Sequence, residues 1–167
     1  LPEYKKFDNF NKTNAYWLDD YALFMALKWH FNQKSWQDWD EDIKFRTQKG
    51  MQKYKELLAD EIGFWKFVQY EFDKQWKKLK EYANENNVDI IGDIPIYMGL
   101  DSSDVWADAG EFLLDENLTP VKVAGVPPDA FSELGQKWGN PLYDWNKMEA
   151  NGFRWWRARM AHSAELY

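Results

Sequence analysis

The chain has 167 residues, which fits one to one and a half domains and is long enough to bury a core. Its formal net charge is −7, and no block of Lys and Arg marks a phosphate-binding surface, so we predict no nucleic-acid partner. The absence of cysteine excludes disulfides and thiolate metal sites and is compatible with the cytoplasm. No apolar run approaches the roughly 20 residues of a membrane span, so we predict a cytoplasmic protein without membrane contact.

Helical periodicity dominates the first half of the chain. Apolar residues at helical spacing run from Asn14 to His30, and a second helix is predicted from Ser35 to about Gly50. The strongest pattern extends from Asp60 to Asn86, where apolar side chains recur every three or four positions and lysines occupy the opposite side. We expect the apolar stripe of this third helix to face the core; it consists of Trp65, Val68, Phe72, Trp76, Leu79 and Ala83.

The second half mixes strand, turn and helix patterns. Val88 to Tyr97 is predicted as a short buried strand, and the order of helix, tight turn and strand favours an α/β unit with a parallel sheet. Asp101 to Ser103 can cap a short helix that ends at Trp106. The remaining predictions are a β-hairpin of residues 111–114 and 121–123, a loop from Pro127 to Tyr143, and a final helix from Trp145 to Tyr167 with Met148, Phe153, Trp156, Met160 and Ala164 inward.

Aromatic residues make up 19% of the chain, with 11 Trp. Helical spacing assigns Trp65, Trp76 and Trp155 to the core. Trp138 follows no period, and a structural and a functional role stay open for it. The residue types of this loop are suited to holding a sugar, because pyranose C–H faces pack on aromatic rings; its exposed-type aromatics are Phe131, Trp138 and Tyr143.

Other site chemistries find little support in the residues. The two histidines, His30 and His162, lie on predicted helices without a second ligand nearby, so we predict no metal site. No Gly-rich phosphate loop occurs, no Ser-His-Asp triad can be assembled, and no cofactor is expected. Glycosyl transfer needs two carboxyl groups about 5–5.5 Å apart in a retaining enzyme, and no such pair is identifiable in the sequence.

Two aspartates retain alternative interpretations. Asp93 lies at or near the carboxyl end of the predicted strand, the end that faces the active site in α/β barrels, and a carboxylate that caps a neighbouring loop is the competing interpretation. Asp129 follows two prolines, a position suited to binding sugar hydroxyls, and an Asx-turn is the competing interpretation.

Several motifs of the chain resemble those of one enzyme family, the 4-α-glucanotransferases, also called amylomaltases or disproportionating enzymes. The most specific is VAGVPPD followed by GQKWGNPLY, within residues 123–143. The others are YWLDDYALFMALK at 16–28, FVQYEFDKQWKKLKEYAN at 67–84, GDIPIY at 92–97, DSSDVW at 101–106 and FRWWRARM at 153–160.

The resemblance implies a partial (β/α)₈ barrel with helical and β-hairpin insertions, residues 1–87 being mainly an insertion and a barrel helix and residues 88–167 carrying the strand, hairpin, substrate loop and following helix. It implies a retaining double displacement that moves α-1,4-glucan segments between maltooligosaccharides. The Asp nucleophile, the Glu acid/base and a further Asp are expected beyond Tyr167, so no catalytic residue is predicted here.

Substrate-binding residues are what the resemblance carries over. Asp93 matches an active-site aspartate, and a mobile loop over the glucan is matched by Phe131, Gln136, Trp138, Gly139, Asn140 and Pro141. With Tyr97 and Asp129 added from the strand and loop chemistry, the predicted substrate-binding set is Asp93, Tyr97, Asp129, Phe131, Gln136, Trp138 and Asn140.

Three hypotheses follow. In the first, the chain is an internal, inactive piece of a 4-α-glucanotransferase, as the lack of Met at position 1 also suggests. In the second it is a non-catalytic glucan-binding module. In the third it is a structural subdomain whose unpaired strand edges favour self-association.

Overall fold

The computed structural model describes residues 2–167, which form two compact units: unit 1 ends at Ile91, and unit 2 runs from Gly92 to Tyr167. Unit 1 contains the helices α1 (Pro2–His30), α2 (Glu41–Lys44), α3 (Gln48–Leu57) and α4 (Ala59–Glu85), with a 3₁₀ turn at Trp36–Asp38. Unit 2 contains α5 (Ser103–Ala107), a 3₁₀ turn (Ala109–Glu111), β1 (Val123–Val126), β2 (Gln136–Pro141), α6 (Trp145–Ala150) and α7 (Arg154–Leu166).

The long helices α1 and α4 pack against each other, and their contact reverses the predicted orientation of α4. Tyr70 of α4 packs with Phe10 and Leu18 of α1, and the flanking Lys66 forms an ion pair with Asp19. The predicted apolar stripe lies on the far side, since positions two residues from Tyr70 are about 200° around a helix. The inward prediction is therefore wrong: Phe72 and Leu79 are 54% and 53% exposed, and Trp65, Val68, Trp76 and Ala83 are only half-buried.

The single helix predicted from Ser35 to Gly50 is divided into a 3₁₀ turn, α2 and the start of α3. Ser35 caps the 3₁₀ turn, as its hydroxyl accepts a hydrogen bond from the Gln37 amide. Arg46 adopts a left-handed φ of 52°, which ends α2, and the Thr47 hydroxyl then accepts a bond from the Gly50 amide at 3.0 Å to begin α3. The capping side chains and the positive φ of Arg46 therefore divide the segment that was predicted as one helix.

The strand predicted from Val88 to Tyr97 does not form, and these residues are irregular. A parallel strand depends on hydrogen bonds to neighbouring strands, and the part of the chain that is described supplies none for it. Its apolar residues remain largely uncovered, with Val88 54%, Ile96 68% and Ile91 95% exposed.

Unit 2 has a two-stranded antiparallel sheet where a loop was predicted. β1 pairs with β2 in the register Gly125↔Lys137 and Val126↔Gln136, so the predicted loop is a strand at its C-terminal end. The hairpin predicted upstream is reduced to a single bridge, Leu114↔Pro120. The pairing does not extend beyond Leu114, because Phe112, two residues earlier, pairs with Tyr143 instead.

The short helix α5 forms as predicted, with Ser102 capping it and Trp106 buried. The predicted final helix is interrupted, since Gly152 and Phe153 have φ angles of 69° and 55° that separate α6 from α7.

That interruption changes which side chains of α6 and α7 face inward. Met148 is buried as predicted, and Trp155 is buried as assigned from its spacing. Phe153, Met160 and Ala164 are exposed, contrary to the prediction, and Trp156 is half-buried. Within residues 2–167, no helix combines the length and the apolar character that a bilayer crossing requires.

Candidate functional site

Two side chains of unit 2 hold the segment Ile96–Met98 by its backbone. The phenol of Tyr143 donates a hydrogen bond to the Ile96 carbonyl at 2.5 Å, and Asn140 Nδ2 donates to the Met98 carbonyl at 2.9 Å. Tyr97 lies between these two anchored carbonyls. The structure thus brings Tyr97 and Asn140 together, although they are far apart in the chain.

Tyr97 joins the loop aromatics into a connected group. Its ring is stacked on that of Tyr143, with centroids 6.3 Å apart and planes at 14°. Its ring also meets that of Trp138 edge-to-face, with centroids 6.2 Å apart and planes at 62°. Trp138 is 48% exposed, so its indole retains a surface open to solvent.

Trp138 is also fixed by a neighbour on its own strand. Its indole N–H donates to Gln136 Oε1 at 2.9 Å, and residues two apart in a strand lie on the same face. Gly139 follows with a φ of 82°, a left-handed conformation inside β2, whose pairing with β1 is irregular between Gly125↔Lys137 and Val123↔Pro141. The ring surface of Trp138, rather than its N–H, is therefore the part available to a ligand in this conformation.

The connection between β1 and β2 is shaped by Asp129. Asp129 Oδ1 accepts hydrogen bonds from the amides of Phe131 at 2.8 Å and Ser132 at 2.9 Å, and its own amide donates to the Ser132 carbonyl at 3.0 Å. This is the Asx-turn foreseen as the competing interpretation. The turn presents Phe131 and Leu134 to solvent, each 95% exposed.

Asp93 is not joined to this cluster. It is exposed, and residues 2–167 as described provide it with no hydrogen bond or ion pair. Its assignment to substrate binding stays a prediction, as do those of the six other predicted residues, because no ligand is present. Tyr97, Gln136, Trp138 and Asn140 are the predicted residues that the fold gathers.

A buried aromatic layer supports the cluster, and sequence reasoning missed its centre. Tyr143 was grouped with the exposed loop aromatics, but it is only 2% exposed. Its ring centroid lies 5.2 Å from Phe112, 5.6 Å from Trp155 and 5.3 Å from Trp156. No periodicity could reveal this position, because its partners lie just after a 3₁₀ turn, in a helix and in an irregular segment.

Charged and titratable side chains adjoin this aromatic layer. Arg159 lies over the rings of Trp155 and Trp156, 5.2 and 5.3 Å from their centroids. Burial raises the pKa of the Asp104 carboxyl, and the positive charge of Arg159 partly opposes that rise. Burial likewise raises the pKa of Tyr143 above the ordinary value near 10, so its phenol is protonated and able to donate at neutral pH and into the alkaline range.

The arrangement suits a neutral, hydroxyl-rich ligand. An exposed indole can cover the apolar face of a sugar ring, while the Gln136 amide and the Tyr97 phenol lie beside it. Residues 2–167 contain no group of three or more His, Asp or Glu that could hold a metal ion.

Comparisons with known proteins point to one family. A family model described as 4-alpha-glucanotransferase matches residues 2–167. A 4-alpha-glucanotransferase of Clostridium butyricum is 54% identical over 98% of the chain, and one of Thermus thermophilus is 45% identical over 99%. The chain spans 34% and 33% of the lengths of these two proteins.

A solved structure leads to the same result. An amylomaltase from Streptococcus agalactiae in complex with acarbose matches with a TM-score of 0.92 and 40% identity, over 98% of this chain and 33% of that one. The resemblance inferred from the motifs is confirmed, and the chain belongs to the 4-alpha-glucanotransferase family.

Proposed function

We propose that this chain supplies a glucan-binding surface to a 4-α-glucanotransferase, which moves α-1,4-glucan segments between maltooligosaccharides by a retaining double displacement. The observation that carries the proposal is Trp138, a half-exposed indole held by Gln136 and Tyr97 in a chain of this family. The structure of the Streptococcus agalactiae amylomaltase in complex with acarbose supports a sugar as the ligand of this surface.

The chemistry itself belongs to residues outside the chain. A retaining transfer needs a nucleophilic carboxylate and an acid/base carboxyl about 5–5.5 Å apart. We assign both to the part of the relatives that this chain does not match. The chain alone should then bind glucan weakly and transfer none, because losing one member of a catalytic set costs orders of magnitude in rate.

The same proposal includes a (β/α)₈ barrel, with residues 1–87 as a mainly helical portion and residues 88–167 carrying a barrel strand and the substrate loop. Two incompletely covered apolar surfaces support it. The stripe of α4 and the apolar residues of 88–97 are of the kind that a helix and a strand bury when a barrel closes. With neighbours on both sides, residues 88–97 would adopt the strand that they lack here.

A chimera tests the transfer function. The corresponding third of the Clostridium butyricum relative is replaced by this chain, and maltotriose disproportionation is measured. We expect activity, and about a fivefold or greater loss of transfer on Trp138→Ala, since stacking of a ring is worth roughly 1 kcal/mol or more. Trp29→Ala is the matched control, because Trp29 is 63% exposed on unit 1.

A folded but inactive chimera would contradict the transfer function.

A second candidate, a glucan-binding module without catalysis, is favoured by the exposed loop side chains Phe131 and Trp138. Calorimetry of the chain with maltoheptaose separates the two, because tight binding that Trp138→Ala abolishes would support the module.

A structural subdomain that self-associates is the remaining alternative. The exposed stripe of α4 motivates it, and light scattering over a range of protein concentrations measures it. A constant monomeric mass would exclude self-association under those conditions.

A further inference from the structure

We propose that Tyr143 is a positioning residue of the candidate glucan site and that it acts through Tyr97 on Trp138. The inference rests on the proposed function, and it adds a buried residue to a site otherwise built from exposed ones. The proposed role is to hold the side chains of the site in position before a ligand binds.

Tyr143 restrains Tyr97 in two independent ways. Its ring lies nearly parallel to the Tyr97 ring, at 14°, and its hydroxyl holds the carbonyl of the preceding residue, Ile96, at 2.5 Å. One contact fixes the side chain and the other fixes the backbone that carries it. Tyr97 cannot turn away from its present direction without losing at least one of them.

Tyr97 in turn limits the orientation of Trp138. The indole is held at one edge by the Gln136 hydrogen bond at 2.9 Å and meets the Tyr97 ring at 62°. A ring fixed by two contacts offers one surface to a sugar. Binding then loses less side-chain entropy than it would with a freely rotating indole.

The substitution Tyr143→Phe isolates this role. The ring of residue 143 is enclosed by Phe112, Trp155 and Trp156, and phenylalanine keeps those contacts. Ile96 is 68% exposed, so water can hydrate the segment whose carbonyl loses its donor. The variant should fold, with the Ile96 anchor as the contact it loses.

Unit 1 offers a closely matched control. Tyr54 is also 2% exposed, and its hydroxyl also donates a 2.5 Å hydrogen bond, to Asp40 Oδ2. Tyr54→Phe removes an equally buried phenol with an equally short bond, but it touches no residue of the candidate site.

The experiment labels the chain with 5-fluorotryptophan and assigns the Trp138 fluorine resonance by its loss in Trp138→Phe. We expect Tyr143→Phe to shift or broaden this resonance and Tyr54→Phe to leave it unchanged. Calorimetry with maltoheptaose should show about a threefold to tenfold weaker binding for Tyr143→Phe. This weakening should vanish when both variants are compared in a Trp138→Ala background, which a loss of general stability would not produce.

Each contrary result has a distinct meaning. An unchanged Trp138 resonance in Tyr143→Phe overturns the inference, as does a binding loss that persists without the indole at 138. If the unmodified chain shows no response to millimolar maltoheptaose, its glucan-binding role fails. The fluorine resonance still decides whether Tyr143 positions Trp138.

Discussion

The contacts within unit 1 differ in kind from the contacts within unit 2. In unit 1, side chains of one helix meet side chains of another segment, as in the ion pairs Lys66–Asp19 and Arg46–Asp20. In unit 2, side chains bind backbone carbonyls of irregular segments, as Tyr143 and Asn140 do. Regular helices satisfy their own backbone, whereas loops need outside partners for theirs. Precise loop geometry in unit 2 therefore depends on a few specific donors.

The largest effect expected of this difference is at Gly135, in the loop between β1 and β2. Its φ is 72°, and an added Cβ would lie 2.5 Å from the Val126 carbonyl oxygen. Gly135→Ala should destabilise unit 2 by roughly 2–4 kcal/mol, because a strained backbone and a clash with a ladder residue combine. Denaturant unfolding followed by circular dichroism measures the loss.

Gly139→Ala provides the control for Gly135→Ala. Its φ is 82°, but an added Cβ meets open space, so only the conformational cost of about 1–2 kcal/mol applies. Equal losses in the two variants would show that the clash at Val126 is relieved by movement of the loop.

Alkaline pH probes unit 1 through Tyr54. Burial, followed by the hydrogen bond to Asp40, raises the pKa of Tyr54 to about 12, above the ordinary value near 10. The folded state thus favours the protonated phenol, and the stability this gives is complete below pH 10 and is lost as the pH rises toward 12.

The expected loss attributable to Tyr54 between those pH values is about 1–2 kcal/mol. Urea unfolding of the unsubstituted chain and Tyr54→Phe at pH 9 and pH 11.5 separates this contribution from other tyrosines. Parallel pH dependences in the two proteins would mean that Tyr54 titrates normally.

The smallest effect concerns the ion pair between α1 and α4. Lys66 is 22% exposed and Asp19 49%, so replacing Lys66 by Met should cost roughly 0.5–1 kcal/mol, less at high salt. Lys77→Met is the control, because the Lys77–Asp73 pair at 2.8 Å is formed within one helix and should contribute at most about 0.5 kcal/mol. A larger loss from Lys77→Met would contradict the role assigned to helix–helix contacts in unit 1.

The sequence predicted which segments are helical better than it predicted how they pack. Helical period located α4 almost to its ends, but the apolar stripe proved to be the side away from Tyr70. Periodicity identifies a face and says nothing of which partner covers it. The strand at 88–97 failed for a related reason, since strand conformation depends on neighbours that no local pattern contains.

The candidate site was predictable where residue type and loop position were sufficient. Phe131 is exposed and Trp138 is half-exposed, as their place among the exposed-type aromatics of the loop suggested. The supporting role of Tyr143 was not predictable, because it arises from contacts 47 residues away in the chain. Such contacts exist only once the fold has brought the segments together.

The Asp129 turn has a practical consequence for proteolysis. Chymotrypsin cleaves after aromatic residues in extended backbone, and Phe131 is the most accessible of them here at 95% exposure. The amide on the far side of that bond belongs to Ser132 and is held by Asp129 Oδ1 at 2.9 Å. The protease can act only after the turn opens, while β1 and β2 remain paired on either side. The cleavage rate at Phe131 therefore reports how readily the turn opens, and a slower rate in the presence of maltoheptaose would show that the ligand protects this turn.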